Sequence, residues 1–225
     1  MKVVLTDYAY DTLQPFSDVY QAAGVEFIPL QCKSKQEVLQ ATEYADGVMT
    51  HYAHIDREVI DNLKNCKIII RSAVGVENID VEAANQRGIS VANVPDYCIE
   101  EVSDYVILLL LASAKKFCVL ERMVQRGEWD YAITKPSDTI HGKTLGLVGC
   151  GNIARAVARK AKVFDMDIIG CDPGVTEQEV AKYGIHLLPQ EKVLQDSDFL
   201  SLHAPLNRYT KHMINRETLS QMKPG

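Results

Sequence analysis

The sequence has no surplus of basic charge, no long hydrophobic run, no close pair of cysteines and a single tryptophan. Each shortage removes a class of protein. The 24 Lys and Arg are scattered among 30 Asp and Glu, for a formal charge of -6, which leaves no electrostatic footprint for nucleic acid or an anionic membrane surface. The longest apolar run, Val106 to Ala112, falls well short of the roughly 20 residues that span a bilayer. The amino-terminal MKVVLTDYAY turns polar too soon for a secretion signal. A cytoplasmic protein with neither nucleic-acid nor membrane partners is expected. The six cysteines (Cys32, Cys66, Cys98, Cys118, Cys150 and Cys171) contain no C-x-x-C pair and lie in or beside apolar segments. Buried free thiols are therefore expected, with no disulfide framework and no metal site.

What is present is an alternation. With 47% hydrophobic residues over 225, the chain has ample material for one large domain or two smaller ones. The first 95 residues place short β-type runs at KVVLT (2–6), VEFI (25–28), GVMT (47–50), KIIIR (67–71) and SVAN (90–93), separated by amphipathic stretches. Ser34 with Glu37 reads as a capping box, Asp56 and Asp80 as N-caps, and Gly24 and Gly88 as helix stops. Apolar runs separated by helices predict a parallel sheet with crossover helices, an α/β domain. Pro95 breaks this pattern. An apolar helix over about 99–116 follows, too hydrophobic on most sides for a surface helix and expected between two domains. Residues 127–142 read as an irregular loop with Trp129 packed into something. The resulting boundaries are 1–95 and 96–225.

A second βα series starts at Thr144: strand TLGLV, a helix over 152–164, strand DIIGC, a helix over 176–183, and FLSL (199–202) as the next strand, with a last helical segment at 215–222. This reads as the βαβαβ half of a doubly wound sheet. Its first turn carries G-C-G-N-I-A. Gly149 suits the tight turn, Gly151 admits the backbone to a pyrophosphate, and Ala154 still permits close packing of helix on strand. The helix opening at Asn152 offers free N–H groups and the positive end of its dipole to an anion. Asp172 ends the next strand 21 residues after Gly151, where a carboxylate accepts ribose hydroxyls, and Pro173, Gly174 and Val175 supply no base for a 2′-phosphate. The pattern therefore predicts NAD as cofactor in preference to NADP.

Taken together, RSAVGVENID (71–80), NVP (93–95), the segment from Leu145 to Pro173 and the segment from Asp198 to Gly225 closely resemble the D-isomer-specific 2-hydroxyacid dehydrogenases. The resemblance implies a flavodoxin-like substrate domain and a Rossmann NAD-binding domain, the latter incomplete at the C-terminus. It implies that Asn152 and Ile153 meet the pyrophosphate, that Asp172 binds the ribose, and that His203, Ala204 and Pro205 border the adenosine. It also implies that the backbone of Val74, Gly75 and Val76 holds the carboxylate of a small 2-hydroxy or 2-oxo acid. The family's catalytic Arg, Glu and His are expected beyond Gly225, so no catalytic residue is assigned here and the 225-residue chain is expected to be inactive. Ala204 and Val74 stand where some members carry threonine, which leaves the identity of the acid open. VMTHYAHID and IEEVSDYV are nearer to the branch of the C-terminal-binding-protein corepressors, whose members also serve as NAD-sensing scaffolds, and that reading stands as the alternative. A homodimer of the complete protein, through the long helix and the following loop, is also implied, with Trp129 and Tyr131 either part of that contact or part of a local lid.

Two further features carry weaker readings. His51 and His54 flank Tyr52 at a strand end and are expected to be polar loop residues rather than a metal pair. Arg71 ends a strand beside the carboxylate loop, either as an ion pair capping the sheet or as a substrate contact.

Overall fold

A computed structural model describes residues 1–135 and 139–224. Residues 136–138 of the expected loop, the side chain of Tyr131 and the terminal Gly225 lie outside the described residues. The chain divides into two compact units, Met1–Tyr97 and Cys98–Gly225.

Unit 1 runs β1 (Lys2–Leu5), α1 (Gln14–Ala22), β2 (Glu26–Pro29), α2 (Lys35–Thr42), β3 (Gly47–Thr50), α3 (Arg57–Asn62), β4 (Ile68–Arg71), α4 (Val81–Gln86) and β5 (Ser90–Ala92). Its strands are all parallel and lie in the order β2-β1-β3-β4-β5, the flavodoxin-like order. The N-caps are those the sequence predicts, except that the Glu37 carboxylate accepts from the Lys33 amide at 2.8 Å and so does not close the expected capping box on Ser34. Ser34 accepts from the Glu37 amide at 3.2 Å, Asp56 from Val59 at 3.2 Å and Asp80 from Ala83 at 2.8 Å. These bonds satisfy amides that the first helical turn leaves without partners. Val4, Val48 and Ile69 from the central strands pack with Val59, Ile60 and Ala83 from the helices. With hydrophobic surface closing the sheet faces, polar groups collect beyond the strands' carboxyl ends. There, Thr6 and Asp7, His51 to Ala53, and Ser72 to Val76 follow β1, β3 and β4.

Unit 2 opens with α5 (Ile99–Ala114), α6 (Phe117–Gln125) and a 3-10 turn at Tyr131–Thr134. The second series follows: β6 (Thr144–Val148), α7 (Asn152–Ala161) ending in a 3-10 turn at Lys162–Phe164, β7 (Asp167–Cys171), α8 (Glu177–Ala181), β8 (Ile185–Leu187), α9 (Gln190–Asp196), β9 (Phe199–Leu202) and α10 (Arg216–Ser220). The parallel strand order is β8-β7-β6-β9.

This order corrects the reading of FLSL as the next strand after DIIGC. The third strand outward is Ile185–Leu187, and Phe199–Leu202 pairs on the opposite side of β6. Three residues with a histidine in the middle are too short and too polar to register as a strand by periodicity. The reversal creates a switch point between β6 and β9, where open α/β sheets bind ligands.

One more expectation changes. Trp129 is 87% exposed and packs into no core. Within unit 2, α5 buries Ser103, Leu110 and Ala114, packing against α7, while Tyr105, Leu108 and Leu109 stay exposed. Packing against α7 and α6 covers only part of the helix, and the rest of its apolar surface stays exposed. Polar groups tie the covered side down: Lys160 donates to Ser103 Oγ and pairs with Asp104, each at 2.6 Å, and Arg159 pairs with Glu100 at 2.6 Å. The cysteines are all free, but Cys150 alone is buried. Cys118 is exposed and the other four are half-buried, because α6 turns Cys118 away from the core.

Candidate active site

In unit 2 the turn after β6 is built by close backbone approach. Gly149 has φ +90, and a Cβ there would lie 2.7 Å from the Ala204 nitrogen and 2.8 Å from the His203 carbonyl carbon. Both are main-chain atoms with no room to yield, so only glycine fits. His203 itself extends the ladder, donating from its amide to Val148 O at 2.7 Å. Gly149, His203 and Ala204 are therefore one contact across the switch point, and the chain continues from them to an exposed Pro205. Gly151, two residues on, has nothing within 4 Å of a built Cβ. It is the N-cap of α7 without a side-chain cap, and the exposed Asn152 and half-buried Ile153 complete the helix start. An open, uncapped helix N-terminus of this kind suits a pyrophosphate. Ala154, fully buried, supplies the close packing asked of the third small residue.

Asp172 lies half-buried beside this turn. Its Oδ2 accepts from the Cys150 amide and its Oδ1 from the Gly174 amide, both at 2.8 Å. The carboxylate thus braces the glycine turn, a role the sequence reading did not include. Each oxygen keeps a second lone pair for a ribose hydroxyl. Between the two glycines, Cys150 is fully buried, and its thiol is pushed up to about 12 by burial first and then by the negative charge of Asp172 and by Cys171. It is a packing group and not a nucleophile. His203 sits with Nε2 3.0 Å from Ser201 Oγ, and burial pushes its imidazole below the ordinary 6.5, leaving it uncharged at neutral pH.

In unit 1, Val74, Gly75 and Val76 form the turn after β4, all half-buried. Arg71, buried at the end of β4, donates from Nη1 to Gly75 O at 2.8 Å and from Nε to His51 O at 3.3 Å, and pairs with Glu77 at 2.7 Å. The ion-pair reading of Arg71 is thus the one realised within the unit. His51 and Tyr52 stack, with ring centroids 4.1 Å apart. Among the described residues no cluster of three His, Cys, Asp or Glu is arranged to hold a metal.

Asp7 is the residue that sequence reasoning missed. Buried beyond β1, its carboxylate accepts from the Thr6 and Thr50 hydroxyls and from the amides of His51, Tyr52 and Ala53, at 2.7 to 3.2 Å. Burial alone would raise its pKa, but the bonds from Tyr52, Thr6, Ala53 and His51 outweigh that and hold it below the usual value. The signal was available: an acid two residues after β1 stands at the β1–β3 switch point of a 2-1-3-4-5 sheet. There the successive amides after β3 make an anion-binding concavity that the protein fills with its own carboxylate.

Comparison with known proteins gives these arrangements a context. The sequence model described as "D-isomer specific 2-hydroxyacid dehydrogenase, NAD binding domain" matches residues 107–225. A D-3-phosphoglycerate dehydrogenase of Methanocaldococcus jannaschii is 34% identical over 99% of this chain and 42% of its own. A glyoxylate reductase of Korarchaeum cryptofilum is 38% identical over 84% of this chain and 58% of its own. Among solved structures, a D-lactate dehydrogenase of Aquifex aeolicus complexed with NAD and lactic acid superimposes with a TM-score of 0.88 at 25% identity, covering 99% of this chain and 66% of its own. The chain thus spans about half the length of the curated relatives it matches. A family model that matches more than half of the chain, on a unit whose glycine turn, switch point and acid stand in the order just described, shows that this chain belongs to the D-isomer-specific 2-hydroxyacid dehydrogenase family, with unit 2 as its NAD-binding domain.

Proposed function

We propose that the protein binds NAD along the carboxyl edge of β7, β6 and β9, and that its full-length form interconverts a small D-2-hydroxy acid and the corresponding 2-oxo acid. The nicotinamide supplies hydride transfer when bound, and the protein's part is binding and orientation. In this reading the Gly149–Gly151 turn and the start of α7 hold the pyrophosphate. Asp172 accepts the ribose hydroxyls on its remaining lone pairs, and His203, Ala204 and Pro205 border the adenosine. The amides of Val74, Gly75 and Val76 hold the substrate carboxylate. No catalytic residue is assigned among residues 1–225; by family resemblance the catalytic Arg, Glu and His belong to the part of the relatives that this chain does not cover. No relative named above is a corepressor, and nothing favours the scaffold alternative.

The observation that carries the cofactor reading is the combination at one strand end of an uncapped α7, an open Gly151 and a carboxylate touching the same turn. Titration of NADH and NADPH tests it. A 2′-phosphate beside Asp172 loses hydroxyl bonds and gains like charge, on the order of 2 to 3 kcal/mol or about a hundredfold in affinity. Asp172→Ala should narrow the gap mainly by weakening NADH. Equal affinities in the unaltered protein would overturn the placement.

The exposed Tyr105, Leu108 and Leu109 on α5 and Phe117 on α6 further support a homodimer formed through unit 2. A monomer by light scattering at micromolar concentration with cofactor bound would refute it. Among the described residues no helix is long and apolar enough to cross a membrane, and the free cysteines suit a reducing compartment, which supports the cytoplasm as its location.

A further inference from the structure

In the turn that follows β4, three consecutive carbonyls are held from the same molecule. Ala73 O accepts from the Val94 amide at 3.1 Å, Val74 O from Asn93 Nδ2 at 2.6 Å, and Gly75 O from Arg71 Nη1 at 2.8 Å. A peptide unit is planar, with its C=O and N–H on opposite sides. Holding the oxygens of residues 73, 74 and 75 therefore sets the direction of the N–H groups of Val74, Gly75 and Val76. Among the described residues none of these three amides donates to the protein. Three consecutive amides without a protein partner are donors available to an anion.

We propose that Arg71 and Asn93 are positioning residues, which aim the Gly75 and Val76 amides at the carboxylate of a 2-oxo or 2-hydroxy acid without touching it. The inference rests on the reading of this turn as the carboxylate site. Arg71 suits the task because two of its guanidinium nitrogens are held at once, Nη1 by Gly75 O and Glu77 and Nε by His51 O. The His51 amide is anchored in turn on Asp7. Glu77 offsets the Arg71 charge, so Arg71 acts through its geometry and not as a free cation. Gly75 belongs to the same device, since a Cβ there would run into the Glu77 carboxylate and lie 3.3 Å from Arg71 Nη1. Lysine keeps the charge but has a single nitrogen, which cannot reproduce the planar fork.

The test follows backbone amides. The 15N-labelled 225-residue chain, saturated with NADH, is titrated with sodium oxamate as a carboxylate probe while the Val74, Gly75 and Val76 amide resonances are recorded. The unaltered chain should shift all three. Arg71→Lys should weaken oxamate about tenfold and abolish the Val76 shift, whereas Asn93→Leu, a neutral change at an exposed position, should weaken it severalfold and abolish the Gly75 shift. NADH affinity should stay unchanged in both. Oxamate shifting all three amides equally in both variants overturns the positioning role and leaves the carboxylate site standing. Silence of all three amides in the unaltered chain overturns the carboxylate site itself, and the positioning role with it. If Arg71→Lys does not fold, Asn93→Leu still decides through the Gly75 resonance.

Discussion

The turns after β4 and after β6 both offer backbone amides at the carboxyl end of a parallel strand, yet they are made in opposite ways. The unit 2 turn is shaped by what is missing from it. Gly149 has no Cβ, so its backbone can meet His203 and Ala204, and the start of α7 directs the amides. The unit 1 turn is shaped by what reaches it, since Arg71 and Asn93 take its carbonyls and Glu77 holds Arg71. An amide site directed by a helix needs little from distant side chains. One in an irregular turn needs its peptides held individually, and each holder becomes a point of failure.

The sharpest way to break this contrast is Gly149→Ala. An alanine at φ +90 with main-chain atoms 2.7 and 2.8 Å from its Cβ combines backbone strain with overpacking, about 2 to 5 kcal/mol together. Denaturant unfolding should show that loss in unit 2, with NADH binding abolished. A variant that melts and binds NADH like the unaltered chain would show that the turn tolerates bulk.

Asp7→Asn probes the corresponding dependence in unit 1 and should cost about 1 to 3 kcal/mol, because one amide oxygen replaces two charged ones before three amides and two hydroxyls. The pH dependence follows from the direction of the shift. The Asp7 carboxyl titrates below its ordinary 3.8 in the folded chain, so its contribution is complete above that pH and is lost as pH falls through the lower, folded value. Acid unfolding should therefore be less steep in Asp7→Asn. Identical acid transitions would contradict the carboxylate's role.

The smallest effect separates the two cysteines of unit 2 that differ most in burial. Cys118 is exposed and Cys150 fully buried, its thiol raised to about 12. Alkylation of the native chain at neutral pH, read by peptide mass spectrometry, should label Cys118 and spare Cys150. Labelling of Cys150 at a rate near that of Cys118 would mean that the glycine turn opens in solution, and the contrast between a rigid unit 2 turn and a braced unit 1 turn would then fail.

Local sequence determined a good part of this protein. Hydrophobic runs of four or five residues with capped helices between them specify a parallel sheet wherever they occur, so most strands and the caps at Ser34, Asp56 and Asp80 were legible from their own neighbours. The glycine turn was equally legible, because the need for a missing side chain is written at the position that lacks it. Four matters were decided only by tertiary structure. Ile185–Leu187 became a strand because β7 offered it an edge, not because three residues including His186 prefer one. The apolar α5 kept Tyr105, Leu108 and Leu109 exposed although α7 and α6 pack against it, and hydrophobicity does not record how much of a helix its neighbours will cover. Asp172 proved to brace the turn that precedes it as well as to present lone pairs. Asp7, Arg71 and Asn93 act on residues 44, 4 and 19 positions away. Hydrogen bonds depend on distance and angle in space, and for Asp7 and Asn93 those separations were closed only when the sheet assembled.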